Sequence, residues 1–211
     1  MSDEIEKISS DFNAGLQKIL RSIVRAHKRI LFSGDGYSTS WRAESARRGL
    51  PNLPDTTAAL APLKDKANQA LFAKYGVFTA TEMESRHEIR MEAYVRRVSI
   101  EGSVALQIAR SMIRPVVADE YSKLATALSL AQKDGFKVGI KGLRALGLKL
   151  GAGLDDLHVK CERLDKALSK GVAAGILTAM SDLRHTVDAL EQLVDDARWP
   201  LPKYREMLFI Y

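Results

Sequence analysis

The sequence predicts an all-α protein, and three observations carry that reading. Apolar residues recur at three- and four-residue steps along most of the chain. Five of the six prolines (Pro51, Pro54, Pro62, Pro200 and Pro202) stand outside the long patterned stretches. No segment alternates apolar and polar residues between turn signals, as a half-buried strand would. Proline inside a helix removes a backbone donor and clashes with the preceding turn, so proline-free stretches can run as continuous helix. Only Pro115 interrupts one. The expected architecture is a helical bundle over residues 1–211, a single domain built on a long antiparallel helix hairpin with shorter helices before it.

The N-terminal helix occupies 1–30. Ile5, Ile8, Phe12, Leu16, Ile19, Ile23, Ala26 and Ile30 form its apolar face. Asp3, Glu4, Glu6 and Asp11 come early and Arg25, Lys28 and Arg29 late, an order that complements the helix dipole. The pattern predicts helix from Asp3 to Lys28. Residues 31–78 hold loops and short helices. Gly34-Asp35-Gly36 is a turn, Ser38 or Thr39 can cap, Trp41 to Arg48 is a short helix stopped at Gly49, and a second runs from Leu63 to Tyr75.

Thr79 followed by Glu82 fits a capping box and opens the long helix of 79–134. Its face is Met83, Met91, Tyr94, Val98, Ala105, Ile108, Met112, Val116, Leu124 and Leu128. Unbroken, it would reach ~80 Å at 1.5 Å per residue, with a kink near Pro115. The connector 135–153 carries six glycines and four cations (Lys137, Lys141, Arg144, Lys149) without an acid, and reads as a short, glycine-broken helix. The long helix of 154–198 repeats Leu157, Cys161, Leu164, Leu168, Val172, Ile176, Ala179, Leu183, Val187, Leu190 and Val194. Two such seams must hide against each other, which gives the hairpin. A tail, 199–211, closes the chain.

Composition narrows the function classes. The 211 residues are 46% apolar, 7% aromatic and 27% charged, with net charge +6 and one cysteine. That excludes a disordered chain, a disulfide scaffold and a cysteine-rich zinc site. No apolar run approaches the ~20 residues of a membrane span, so no membrane partner is expected. The default is a soluble protein of a reducing compartment.

Candidate chemical sites are weak. His27, His87, His158 and His185 are scattered and read as ordinary helix histidines. No phosphate-loop pattern occurs, and Asp35 would repel a phosphate at the Gly34–Gly36 turn. Cys161 lies on the apolar seam, where cysteine behaves as a small hydrophobe. Arg21, Arg25, Lys28, Arg29, Arg42, Arg47 and Arg48 could form a basic face, but acids dilute it and stacking aromatics are few, so nucleic acid is not favoured. Glu101 falls on the seam side between Val98 and Ala105 and is expected to pair with Arg97 or an arginine of a neighbouring helix. Tyr37 and Trp41 are expected to pack inward and hold their loop.

Three stretches carry a resemblance. Ala26-His27-Lys28-Arg29-Ile30-Leu31-Phe32-Ser33-Gly34-Asp35-Gly36-Tyr37-Ser38, with Trp41, Glu44, Ala46 and Arg48-Gly49-Leu50-Pro51-Asn52, is the first. Val77-Phe78-Thr79, Glu82, Ser85-Arg86, Glu88-Ile89, Glu92, Tyr94 and Ile100-Glu101 continue it, and Trp199-Pro200-Leu201-Pro202-Lys203-Tyr204 with Met207-Leu208-Phe209 ends it. Together they resemble the C-terminal helical region of type III glutamine synthetases. The motif positions are therefore Gly34, Asp35, Gly36, Tyr37, Trp41, Arg86, Glu88, Glu101, Trp199 and Pro200.

The resemblance implies a parent enzyme that ligates ammonia to glutamate with ATP and Mg or Mn, in large cytoplasmic homo-oligomers. The family's catalytic, metal-binding and nucleotide residues lie upstream of this region, so none is assigned here and no cofactor is expected in this chain. The implied role is structural, with the upstream catalytic region as partner. Two readings compete with it: a free-standing basic helical module for nucleic acid or an acidic protein, and an enzyme using Glu101 or His87 in a bundle site.

Overall fold

A computed structural model describes residues 11–208. Among them every regular element is helical, as the sequence pattern predicts. The chain divides into two compact units, one ending at Ala59 and the other beginning at Leu60.

The first unit opens with helix α1, Phe12–Ala26, which Asp11 caps by accepting from the Asn13 N–H at 3.0 Å. The expected helical start over 3–10 lies outside the described residues. A 3₁₀ turn at Lys28–Ile30 leads into the glycine loop. Helix α2, Thr39–Arg47, is capped by Ser38, whose Oγ accepts from the Trp41 N–H, and it stops at Gly49 in the left-handed region. Helix α3, Thr56–Leu60, spans the division between the units.

The second unit begins with a 3₁₀ turn at Ala61–Lys64 and helix α4, Lys66–Lys74, capped by Asp65. Both sides of the expected capping box are present at Thr79 and Glu82, where helix α5, Ala80–Ile108, begins. It passes through a π turn at Ala109–Ile113 into helix α6, Arg114–Lys133. Pro115 explains the π turn. Lacking an N–H and crowding the turn before it, it widens the backbone, and the Arg114 N–H reaches back to the Ala109 carbonyl. The helical rod survives the proline.

The connector departs from expectation. Residues 135–153 are not a short broken helix: from Ile140 they form the first half of helix α7, Ile140–Lys170. Leu143, Leu146, Leu150 and Leu154 continue the seam of Leu157, Cys161 and Leu164 without a phase break, and Leu150 is wholly buried. Glycine costs ~1 kcal/mol against alanine in a helix interior, but here it admits a neighbour. A Cβ on Gly153 would lie 2.5 Å from Leu190 Cδ2.

The expected helix of 154–198 is interrupted. It breaks at Gly171, where φ is +65° and the N–H reaches the carbonyls of Ala167 and Leu168; Val172 is extended. Helix α8, Ala173–Glu191, then folds back along α7. The antiparallel pairing of α6 with α7 is the hairpin the seams predict, and the turn at Gly171 adds a third layer.

Ile113, Val117, Leu150, Leu157, Leu164 and Ile176 are fully buried in one core that also takes in Leu183, Leu190 and Trp199. On the rod the seam runs through Val98, Leu106, Ala109, Ile113 and Val117; Ala105, Ile108 and Val116 flank it rather than centre it. Arg110, in the π turn, clamps the rod to α7 by donating to Glu162 at 2.9 Å and Asp165 at 2.8 Å. A 3₁₀ turn at Asp196–Arg198 lets Arg198 hold Asp119 and Glu120 on α6, and helix α9, Tyr204–Leu208, follows.

Candidate assembly surface

The glycine loop of the first unit is built by local hydrogen bonds. Asp35 Oδ1 accepts from the Tyr37 N–H at 2.9 Å, and Ser38 Oγ donates to the Asp35 carbonyl at 2.7 Å. The Phe32 ring covers Gly34, where a Cβ would come within 2.5 Å of it. The Phe32 and Trp41 rings pack together, centroids 4.3 Å apart and tilted by 33°. The Arg48 guanidinium lies 5.8 Å from the Phe32 ring and 6.0 Å from Trp41. It also donates to the Leu31 carbonyl at 2.6 Å and pairs with Glu44 at 2.5 Å. Hydrogen bonds from Arg47 and then Arg48 hold the Glu44 carboxyl down to about 2.

This platform holds Trp41 half-buried, as expected, but it corrects the expectation for Tyr37. Tyr37 is 98% exposed. Its N–H is tied to Asp35, and its ring takes no part in the Phe32–Trp41 pair. Phe32 and Arg48, which complete the platform, are not singled out by sequence pattern as its members. Arg48 does carry a signal, standing four residues after Glu44 on the same helix face.

The remaining motif residues lie in the second unit. Arg86 covers the Phe78 ring at 4.2 Å, and Phe78 stacks on Phe72 at 5.8 Å, which fixes the start of α5. Glu88 is exposed. Glu101 is exposed too, and among the described residues it pairs with no arginine, contrary to expectation. The seam position is Gly102, which is buried against Ile176 and Leu168, so its neighbour must face outward. Glu101 instead lines a shallow trough of about 590 Å³ with Ile89, Ala93, Arg97 and Ile100. Trp199 is buried in the core and Pro200 half-buried beside it.

These residues do not converge on a chemical centre. Among the described residues no three of His, Cys, Asp and Glu gather where one metal ion could sit. His87 is half-buried, and its Nδ1 has no hydrogen-bond partner among the described residues. Burial pushes the Cys161 thiol up, away from the reactive thiolate. No helix among the described residues is long and apolar enough to cross a membrane.

What the first unit does present is apolar surface. Phe12, Leu20, Ile23 and Val24 of α1 are 54, 50, 46 and 52% exposed, and Ile30 and Leu31 behind them 58 and 53%. Such a stripe on one helix is a candidate contact face.

The sequence profile of the glutamine synthetase C-terminal domain matches residues 15–132, which takes in most of α1, the glycine loop, and the rod almost to its end. The chain belongs to that family. It is 28% identical to the type-3 glutamine synthetase of Dictyostelium discoideum over 97% of this chain and 30% of that protein. It is 31% identical to the glutamine synthetase of Butyrivibrio fibrisolvens over 92% of this chain and 29% of that protein. With the glutamine synthetase of Bacteroides fragilis (strain YCH46) it shares 29% identity over 91% of this chain and 28% of that protein. The chain thus spans about three tenths of the length of these glutamine synthetases. Eight of the ten motif positions, from Gly34 to Glu101, lie within the matched residues, in the glycine loop, on α2 or along α5; Trp199 and Pro200 lie beyond them, in the tail.

Proposed function

We propose that this chain is the structural and assembly domain of a type III glutamine synthetase and performs no chemistry of its own. In this reading the parent enzyme ligates ammonia to glutamate in the cytoplasm, with ATP and Mg or Mn held by its upstream catalytic region. The observation that carries the proposal is the uncovered apolar face of α1. Fully burying a Leu, Ile, Val or Phe side chain stabilises by ~1.5–3 kcal/mol, so a contiguous half-exposed stripe represents interaction energy not yet used. The occupant favoured is the catalytic region, because relatives more than three times as long contain the same helical part.

Sedimentation of this chain with the separately produced catalytic region tests it. A joint boundary is expected, lost when Leu20→Glu and Ile23→Glu place two carboxylates on the stripe. Independent sedimentation of the two parts, or a chain that only dimerises with itself, would overturn the proposed occupant. Calorimetry of the chain with ATP and Mg²⁺ should show no saturable isotherm; a saturable one would overturn the non-catalytic reading.

A further inference from the structure

The acid-free opening of α7 is not used by the assembly reading. Lys137, Lys141, Arg144 and Lys149 stand there without a carboxylate between Gly135 and Leu154, and none of the four has an ion-pair partner among the described residues. Elsewhere cations bridge helices: Arg110, Arg163 and Arg198 each hold an acid of another segment. Lys141 and Arg144 are three residues apart, the spacing at which like charges on a helix repel. Beside them Phe136, Val138 and Leu148 are 63, 90 and 70% exposed.

These groups form a groove. Phe136, Lys137, Ile140, Lys141, Arg144 and Leu148 line an open trough of about 530 Å³. Arg144 and Leu148 also wall a second, of about 420 Å³, that runs over Gly147 and Gly151 to Tyr121 on α6. The two troughs lie on either side of Arg144 and Leu148, which line both. The floors are apolar or bare of side chains; the first trough carries the cations Lys137, Lys141 and Arg144, and the second is lined by Arg144 and one acid, Asp155.

We propose that this groove docks an acidic amphipathic helix of a partner protein. The partner's apolar side would lie on Phe136 and Leu148, with its carboxylates facing Lys141 and Arg144. Charge complementarity selects that occupant. The apolar floor has no counterpart on a nucleic-acid duplex, and a concave trough suits a helix better than a flat anionic bilayer. A second copy fits less well, because the exposed apolar face of α1 carries Arg21 and Arg25, and that of α5 mixes Arg86, Arg90, Arg96 and Arg97 with Glu84, Glu88, Glu92 and Glu101 rather than offering a continuous acidic side.

The test uses the full chain and a fluorescent, roughly 20-residue peptide with Leu at helical three- and four-residue spacing and Glu between. A peptide of the same pattern with Lys for Glu is the control. Saturable binding of the acidic peptide alone is expected. Arg144→Glu should weaken it at least about fivefold, because it reverses a charge facing the ligand. Lys149→Glu makes the same charge change outside the trough lining and should weaken it less than about twofold. Leu148→Ser, which leaves the charge unaltered, should also weaken binding, and circular dichroism melts confirm that each variant folds. Equal losses for Arg144→Glu and Lys149→Glu would overturn the proposal in favour of diffuse attraction. So would tighter, Arg144-dependent binding of duplex DNA or phosphatidylserine vesicles, or no acidic-peptide binding at about 1 mM. None of these outcomes bears on the α1 face.

Discussion

At the level of single residues, Trp41 and Tyr37 sit four positions apart and have opposite roles. Trp41 is half-buried, packed against Phe32 and covered by Arg48, so Trp41→Ala should cost the first unit about 2 kcal/mol, below the usual range for a fully buried ring. Tyr37→Ala should leave stability unchanged, since 98% of that residue already faces solvent. Hydrogen exchange of the α2 amides separates the two: faster in the first variant, unaltered in the second. Glu44 adds a pH dependence. Its folded value, about 2, lies below the ordinary 4.5, so the stability it contributes is present above 4.5 and is lost as pH falls through that interval toward 2. The α2 amides should lose protection across that window, and Glu44→Gln should remove this part of the response. The same loss in both proteins would mean that another carboxylate governs it. Trp41's inward packing is legible from its spacing. Tyr37's exposure is not, because spacing alone does not say which way a turn residue faces.

At the level of elements, seam periodicity is legible and its breaks are not. Leu157, Cys161, Leu164, Ile176, Ala179, Leu183 and Leu190 are buried as their spacing predicts. Gly171, however, lies inside an unbroken three- and four-residue pattern, and only its left-handed backbone separates α7 from α8. The glycines of 135–153 mislead in the other direction. Their low helix propensity argues for a broken segment, whereas packing of the leucine pattern decides the fold. Leu164→Asp or Leu183→Asp should cost several kcal/mol by burying an unpaired charge, seen as a lower melting temperature or failure to fold. Gly102→Ala tests the close approach of α5 to α8. The new methyl would stand 2.8 Å from Ile176 Cγ2 and 3.0 Å from Leu168 Cδ2, and overpacking of that kind costs ~1–3 kcal/mol. A melt at or above the wild-type temperature would show that those side chains yield freely.

At the level of the whole molecule, the described residues combine a well-filled helical core with apolar surface left open along α1. The all-α class is legible from periodicity and proline placement, and the family from the motifs around Gly34, Arg86 and Trp199. Which surface would serve the proposed assembly is not legible, because α1 reads as an ordinary amphipathic helix until the exposure of Leu20, Ile23 and Val24 is seen. The most direct test is sedimentation velocity of the complete parent enzyme carrying Leu20→Glu and Ile23→Glu. The account predicts that the variant sediments as smaller species than the wild-type particle while the helical content of this region is retained. An unaltered particle would contradict it.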